Sequence, residues 1–242
     1  MRYGIFSDIH ANLEALEAAM SAFKREAIDR YFCAGDLVGY GANPKECIEK
    51  VESFTGAVVA GNHDWASIGL FSENYFNANA KDAIFWTRKN LDDESRYFLG
   101  SLKLVYKNED FTLVHGTLDN PGAFDYMADS YTAGETFRVM ETDICFIGHT
   151  HVAGIFTKGQ DERIYYQEQE SVYIKENDKY IVNLGSIGQP RDGDPRACYC
   201  TYDTDKKEVR IKRADYDTQA ARRKIISAGL PQFLGDRLLI GQ

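Results

Sequence analysis

The stretch Tyr3-Gly4-Ile5-Phe6-Ser7-Asp8-Ile9-His10 opens the chain with a short apolar run that ends at an aspartate and a histidine. Apolar runs of about four to eight residues bounded by turn residues are typical of buried strands. Asn12 then stands where it can cap a helix, and apolar residues recur at three- and four-residue spacing from Leu13 to Phe23. The chain is therefore predicted to begin with a strand, a polar turn and a helix.

The same transition from an apolar run to a polar turn recurs four more times. The predicted strands cover residues 31–34, 56–60, 111–114 and 144–147. The polar clusters that follow them are Gly35-Asp36, Gly61-Asn62-His63-Asp64, His115-Gly116 and Gly148-His149-Thr150-His151. Helical patterns at residues 44–51, 79–91, 94–102 and 131–140 lie between several of these strands. Such alternation of strands and helices predicts an α/β fold.

The second part of the chain is richer in strand-like alternation. Further strands are predicted at residues 164–166, 180–183, 198–202 and 209–214, and a late helix at 216–227. Residues 117–129 are predicted to form a long loop. Because no Ser-, Gly- or Pro-rich linker separates the two parts, we expect a single domain over residues 1–242 whose sheet continues into the second half.

Composition excludes several classes of protein. With 44% hydrophobic and 27% charged residues among 242, the chain has ordinary globular values and is not disordered. No apolar run approaches the ~20 residues that span a bilayer. The net charge of −9 argues against sequence-independent binding of DNA or RNA, because such binding relies on Lys and Arg side chains that neutralise backbone phosphates. Five cysteines without a CxxC pair indicate buried, reduced thiols in a cytoplasmic protein.

The histidines are the main indication of function, because all five of them lie in the polar clusters. Ligands of open α/β sheets bind beyond the carboxyl ends of the strands. Oxygen and imidazole donors without a thiolate suit manganese, iron, zinc or nickel. Seven such donors exceed the needs of one ion and fit two ions ~3.5–4 Å apart. The candidate ligands are Asp8, His10, Asp36, Asn62, His115, His149 and His151.

Two adjacent dications would lower the pKa of a bound water. They would also stabilise the attacking and the leaving oxygen of an in-line displacement at phosphorus. They would also supply the positive charge that an acidic chain needs to bind an anionic substrate. One histidine is left over to protonate the leaving group, which is typically worth ~10²–10⁴ in rate. The residues thus point to a small phosphate ester as the substrate.

The five clusters, in this order from Asp8 to His151, resemble those of the calcineurin-like metallophosphoesterases. The sequences around Asp8-Ile9-His10-Ala11-Asn12-Leu13 and Gly35-Asp36-Leu37-Val38-Gly39-Tyr40-Gly41-Ala42-Asn43-Pro44 resemble the small bacterial and archaeal phosphodiesterase branch, as does the stretch from Asn183 to Arg191. The resemblance implies two packed, mixed β-sheets flanked by helices, as in a four-layer α/β sandwich. It also implies a preference for phosphodiesters over monoesters.

By motif position, the resemblance also assigns roles. Asp8, His10 and His151 would bind a first metal ion, and Asn62, His115 and His149 a second. Asp36 would bridge the two ions and a metal-bridging hydroxide would attack phosphorus. His63 would act as the general acid. Arg191 could form a bidentate hydrogen bond with a substrate phosphate, and Tyr40 could line the substrate pocket.

Each assignment has a plainer alternative. Asp8 and His10 could cap the following helix, and His63 could be a metal ligand. His149 and His151 are predicted to alternate on an extended segment, so their side chains should face the same side. The alternative is a pair of histidines that hydrogen-bond at the end of a strand. Arg191 could be a solvated surface residue and Tyr40 could serve packing alone.

Asp64 and an aromatic group also have two interpretations. Asp64 could orient His63 or cap a helix. The aromatic residues after it are predicted to pack in the core, with a stacking platform or a lid over the metals as alternatives; they are Phe71, Tyr75, Phe76, Phe85 and Trp86.

Two other functions fit the chain less well. A catalytically silent binding or scaffold protein of the same fold would normally lack a ligand or the acid histidine, and this chain lacks neither. A DNA nuclease is disfavoured by the acidic charge. The sequence carries no signal of an oligomeric state.

Overall fold

Twelve strands form two six-stranded sheets in the computed structural model, which describes residues 1–242. In spatial order, the first sheet comprises β3 (Ala57–Val58), β2 (Arg30–Cys33), β1 (Arg2–Phe6), β11 (Ala197–Asp203), β12 (Glu208–Ala214) and β9 (Ser171–Tyr173). The second comprises β4 (Val105–Lys107), β5 (Thr112–Val114), β6 (Ile144–Ile147), β10 (Lys179–Asn183), β7 (Gly154–Lys158) and β8 (Ile164–Gln167). Both sheets mix parallel and antiparallel pairs.

Eight α-helices accompany the sheets, which confirms the predicted fold of two mixed sheets flanked by helices. They are α1 (Leu13–Phe23), α2 (Pro44–Phe54), α3 (Asn62–Ile68), α4 (Ala78–Asn90), α5 (Asp93–Ser101), α6 (Ser130–Val139), α7 (Thr218–Ser227) and α8 (Gln232–Asp236). Short 3₁₀ turns lie at Glu73–Tyr75 and Arg237–Leu239. None of these helices combines the length and the apolar character that crossing a membrane would require.

The core consists of a layer between the sheets and further layers under the helices. Strand β6 shows how one strand serves two layers. Ile144 and Phe146 pack between the sheets, whereas Cys145 and Ile147 pack on the opposite face with residues of α6. Successive side chains of a strand point to opposite faces, so a strand buried on both sides is apolar throughout. All five cysteines are buried and unpaired, as predicted.

Parallel pairing brings the polar clusters to one edge of each sheet. Strands β1, β2 and β3 run parallel, and Asp8, Asp36 and Asn62 follow their carboxyl ends. Strands β5, β6 and β10 run parallel in the other sheet, and His115 and His149 follow two of them. The two edges meet where the backbone N–H of His149 donates to the Asp8 carboxylate at 3.0 Å.

Apart from the short 3₁₀ turns, four elements were not predicted: helices α3 and α8 and strands β7 and β9. Helix α3 begins inside the cluster at residues 61–64, where closely spaced polar residues were taken for a turn. Asn62 is its first residue and Gly61 its N-cap. Strands β7 and β9 were also missed; β9 is a three-residue edge strand, too short for a readable alternation.

Candidate metal centre

The seven predicted ligands lie together in one buried cluster between the carboxyl edges of the two sheets. Their donor atoms form overlapping groups in which the atoms lie within 4.8 Å of one another. One group combines Asp8, His10 and His151, and another combines Asp36, His115 and His149. The structure therefore brings together residues that are up to 143 positions apart in the sequence, from Asp8 to His151 (151 − 8).

The first half of the cluster surrounds Nε2 of His10. This atom lies 3.0 Å from Nε2 of His151 and 3.7 Å from Oδ1 of Asp8. Oδ1 of Asp8 lies 3.2 Å from Nε2 of His151. Three donor atoms thus face one small volume.

The second half surrounds Nε2 of His115. It lies 3.1 Å from Oδ1 of Asn62 and 3.1 Å from Nδ1 of His149. Oδ2 of Asp36 lies 3.3 Å from this nitrogen and 3.6 Å from Nε2 of His10. Asp36 therefore stands between the two halves, in the place that a bridging carboxylate requires.

Backbone carbonyls fix the orientation of three imidazoles. Nδ1 of His10 bonds the carbonyl of Val38 at 3.1 Å, and Nδ1 of His115 that of Ala34 at 2.7 Å. Nδ1 of His151 bonds the carbonyl of Gln189 at 2.6 Å. Because a carbonyl only accepts, each Nδ1 carries the proton, and in the neutral ring each Nε2 presents a lone pair to the cluster.

Two lone pairs that face each other at 3.0 Å repel unless a proton or a cation lies between their atoms. Nε2 of His10 and Nε2 of His151 form such a pair. An imidazole with its other N–H held by a carbonyl is the usual arrangement of a metal ligand. The donor set of imidazoles, carboxylates and an amide oxygen therefore fits divalent ions of the borderline class.

Strained backbone accompanies the candidate ligands. Asp8, His10, Asp36, His149 and His151 all have φ between 49° and 68°, in the left-handed region. Non-glycine residues there cost about 1–3 kcal/mol each and tend to cluster at functional sites. The extended segment predicted for His149 and His151 is therefore wrong: left-handed turns, not strand alternation, direct both rings into the cluster.

Two glycines allow the chain to approach the carboxylates closely. A Cβ at Gly61 would overlap Oδ1 of Asp36, and a Cβ at Gly148 would overlap Oδ2 of Asp8. Any side chain at these two positions would displace a candidate ligand. The glycines at these two positions thus have a steric cause.

Asp64 organises the loop that carries Asp36. Its carboxylate accepts backbone N–H bonds from Asp36, Leu37, Val38 and Gly61, at 2.8–3.2 Å. Burial and the neighbouring Asp36 carboxylate raise the pKa of Asp64 to about 7, whereas the N–H donors favour its anion. Asp64 acts on the Asp36 loop and the start of α3 and makes no hydrogen bond to the His63 ring.

His63 lies at the edge of the cluster, on the first turn of α3. Its backbone N–H donates to Oδ1 of Asp36 at 2.9 Å. Neither ring nitrogen has a hydrogen-bond partner, and the buried Nδ1 is held against Gly39. A ring nitrogen also lies within 4.8 Å of donor atoms of His10 and Asp36, so proximity alone is compatible with an acid or a ligand.

Tyr40 and Arg191 border the same cluster. The Tyr40 ring centroid lies 4.6 Å from that of His10 and 4.4 Å from that of His63. The Arg191 guanidinium lies 5.7 Å from the Tyr40 ring centroid and donates to Oε1 of Gln189 at 2.9 Å. Both residues are therefore within the neighbourhood where the sequence placed them.

Burial and mutual charge set the ionisation of the cluster. Burial would raise the pKa of Asp8, but His151, His10 and His115 hold it well below its usual value. Burial lowers the pKa of His149 and of His151 to about 3. It lowers the pKa of His63 as well, against the opposing charge of Asp36. Burial would also lower the pKa of His115, but Asp36 and Asp8 raise it to about 9.

The aromatic residues after Asp64 separate into two groups. Trp86 packs against the buried side chains near α7, as predicted. Phe76 is partly buried against the same buried side chains, as predicted, and it also lines a cavity that reaches His63 and His149. Phe71 and Tyr75 line this cavity too, and Phe85 is 40% exposed, so the prediction of core packing is wrong for these three residues.

The contribution of residues 117–129 to the lining of this cavity was not anticipated. Phe124 and Tyr126 come from the predicted loop at residues 117–129, and Tyr126 stacks on His149 with ring centroids 4.1 Å apart. A single aromatic residue in a long loop carries no pattern that could have indicated this contact.

Comparison with known proteins gives concordant results. The family model described as the calcineurin-like phosphoesterase superfamily domain matches residues 1–207. The uncharacterized protein MJ0912 of Methanocaldococcus jannaschii is 38% identical and aligns over 98% of this chain and 97% of its own length.

Solved structures show the same fold. A metallophosphoesterase from Sphaerobacter thermophilus is 37% identical, with a TM-score of 0.87 over 100% of this chain and 99% of that one. The hypothetical protein PH1004 from Pyrococcus horikoshii is 20% identical, with a TM-score of 0.79 over 100% of this chain and 98% of its own. At that identity the second match shows the fold alone.

Proposed function

Because this chain belongs to the calcineurin-like phosphoesterase superfamily, we propose that it hydrolyses small phosphate esters, diesters in preference to monoesters, at two divalent ions. The family and the buried Asp/His cluster support metal-dependent phosphoesterase activity. We assign Asp8, His10 and His151 to one ion and Asn62, His115 and His149 to the other. Asp36 would be shared by the two ions, and His63 would act as the general acid.

The observation that carries this proposal is the pair of facing Nε2 atoms of His10 and His151, 3.0 Å apart. Nδ1–H of each ring donates to a backbone carbonyl, so the lone pairs of both Nε2 atoms are available to one cation. Asp36, between the two halves, supplies a carboxylate that is shared by both sites. Divalent ions held by these residues would supply Lewis acidity, lowering the pKa of water toward ~7 and neutralising the phosphoryl oxygens.

The residues around the cluster then complete the reaction. His63 lies beside Asp36 with a ring that no other side chain holds by a hydrogen bond, so it is free to give a proton to the departing oxygen. The Arg191 guanidinium, beside Tyr40, can bind a non-bridging phosphate oxygen. Asp64 holds the Asp36 loop through three backbone N–H bonds, from Asp36, Leu37 and Val38.

The preference for diesters rests on the resemblance of the stretches at Asp8–Leu13 and Gly35–Pro44 to the small phosphodiesterase branch. Initial rates on bis(p-nitrophenyl) phosphate and on p-nitrophenyl phosphate test it, with manganese-loaded protein and a chelated sample as the control. We expect the diester to have the higher kcat/KM and the chelated sample to be inactive. Protein that binds two ions yet cleaves neither ester would contradict the proposed hydrolase and favour the silent scaffold.

A further inference from the structure

A cavity of about 230 Å³ opens directly beside the metal centre. His63 and His149 form part of its wall, so it adjoins the side of the cluster where the leaving group would depart. We call this cavity the aromatic pocket because six of its thirteen lining residues are Phe or Tyr. Its aromatic side chains are Tyr40, Phe71, Tyr75, Phe76, Phe124 and Tyr126.

Two of these rings are exposed to solvent although they are large and partly apolar. Tyr75 is 80% exposed and Tyr126 is 54% exposed. Each is nevertheless held by a neighbour: Phe71 stacks on Tyr75 with centroids 5.2 Å apart, and His149 stacks on Tyr126 at 4.1 Å. Rings that are oriented in advance and left uncovered beside a catalytic site are suited to stacking on a bound ring.

The charge of the pocket indicates which part of a substrate it can take. No lysine or arginine lines it, and Asp125 is the one carboxylate there. A second phosphate group would therefore find no partner in the pocket. Its volume is below the ~300–1,000 Å³ of pockets that enclose a whole drug-sized ligand, so it fits one ring system.

Polar groups on the lining favour a heterocyclic ring over a plain aryl ring. Asn77 and Asp125 are exposed residues of the pocket lining. Oδ1 of Asn77 accepts the N–H of Ala80, which leaves its amide N–H groups free to donate. A nucleobase offers ring faces for stacking and edge atoms for these groups.

We propose that the aromatic pocket binds a nucleobase, so that the substrate is a phosphate ester whose leaving group carries a nucleoside. This inference rests on the proposed function, because the metal centre must hold the phosphate while His63 faces the departing oxygen. Stacking of a base on an aromatic side chain typically changes binding by about 5- to 150-fold.

Binding of two uncleavable analogues tests the proposal. The probes are phosphonates of AMP and of ribose 5-phosphate in which a CH₂ group replaces the ester oxygen, and their affinities for manganese-loaded protein are measured by calorimetry. The two probes share the phosphonate and the sugar and differ only in the base. We expect the AMP analogue to bind at least about fivefold more tightly.

Two leucine variants locate the effect. Tyr75→Leu removes an exposed ring that contacts no candidate ligand, and it should bring the ratio of the two affinities toward one. Tyr97→Leu is the matched control, because Tyr97 is 81% exposed on α5 and does not line the pocket. It should leave the ratio unchanged.

The outcomes separate this inference from the proposed function. Equal affinities of wild-type protein for the two analogues, absence of binding by both, or an unchanged ratio in Tyr75→Leu would overturn the nucleobase assignment. Hydrolysis of bis(p-nitrophenyl) phosphate would still stand in each of those cases. Conversely, protein that binds the AMP analogue more tightly but hydrolyses no ester would support nucleobase binding by the aromatic pocket and refute the proposed phosphoesterase activity.

Discussion

Replacing His63 by alanine is expected to lower kcat by about 10²–10⁴-fold while two metal ions remain bound. The size of the loss follows from the role assigned to its ring, which protonates the departing oxygen. Backbone structure should persist, because the contact of His63 with Asp36 is made by its backbone N–H, which alanine keeps. Initial rates and the metal content of the same preparation check both parts of the prediction.

The leaving group provides the control for this variant. A nitrophenolate departs without a proton, whereas an alkoxide needs one, so the loss should be larger for a dialkyl phosphate than for bis(p-nitrophenyl) phosphate. Wild-type rates in His63→Ala would refute the acid role. A variant that holds fewer ions than the wild type would instead identify His63 as a ligand, which is the alternative that its position near His10 and Asp36 permits.

Replacing Asp36 by asparagine is expected to lower kcat/KM by at least about 10³-fold. An amide has the same shape but carries no negative charge, so it bridges two cations poorly, and the charge stabilisation that the metals give is worth several kcal/mol. The amide oxygen can still accept the backbone N–H of His63, so the loop should stay folded. Rates on bis(p-nitrophenyl) phosphate at saturating manganese measure the loss.

Asp161→Asn makes the same chemical change at an exposed carboxylate that does not belong to the cluster, and it should retain full activity. Circular dichroism of both variants excludes unfolding as the cause of a loss. Activity of Asp36→Asn within tenfold of the wild type would show that this carboxylate does not hold the metals.

The general position of the site could be predicted from the sequence because it depends on strand ends. Asp8, Asp36 and His115 each lie within two residues of the end of an apolar run, and parallel pairing brings such ends to one edge of a sheet. The confinement of every histidine to these clusters then indicated imidazole ligands before any contact was known. The fold class followed from the same alternation of strands and helices.

The fine geometry could not be predicted, because it depends on backbone conformations and on backbone hydrogen bonds. The left-handed turns at His149 and His151 replaced the expected extended segment. The carbonyls of Ala34, Val38 and Gln189 fix the imidazole orientation, yet a carbonyl is present at every residue and gives no sequence signal.

Tertiary contacts over long sequence separations explain the remaining differences. Phe71 and Phe124 come from segments more than fifty residues apart (124 − 71 = 53), yet their ring centroids lie 5.1 Å apart on the wall of the aromatic pocket. The local spacing of the aromatic residues after Asp64 favoured core packing. Only the fold shows that residues of the loop at 117–129 line the same cavity.

The most direct test of the account is the metal content of freshly purified protein, measured by elemental analysis before and after chelation and reloading with manganese. We expect two divalent ions per chain. Chelation should remove them, and reloading should restore both the ions and the activity on bis(p-nitrophenyl) phosphate. Protein that cleaves the ester at its full rate after chelation, with less than one ion per ten chains, would contradict the account.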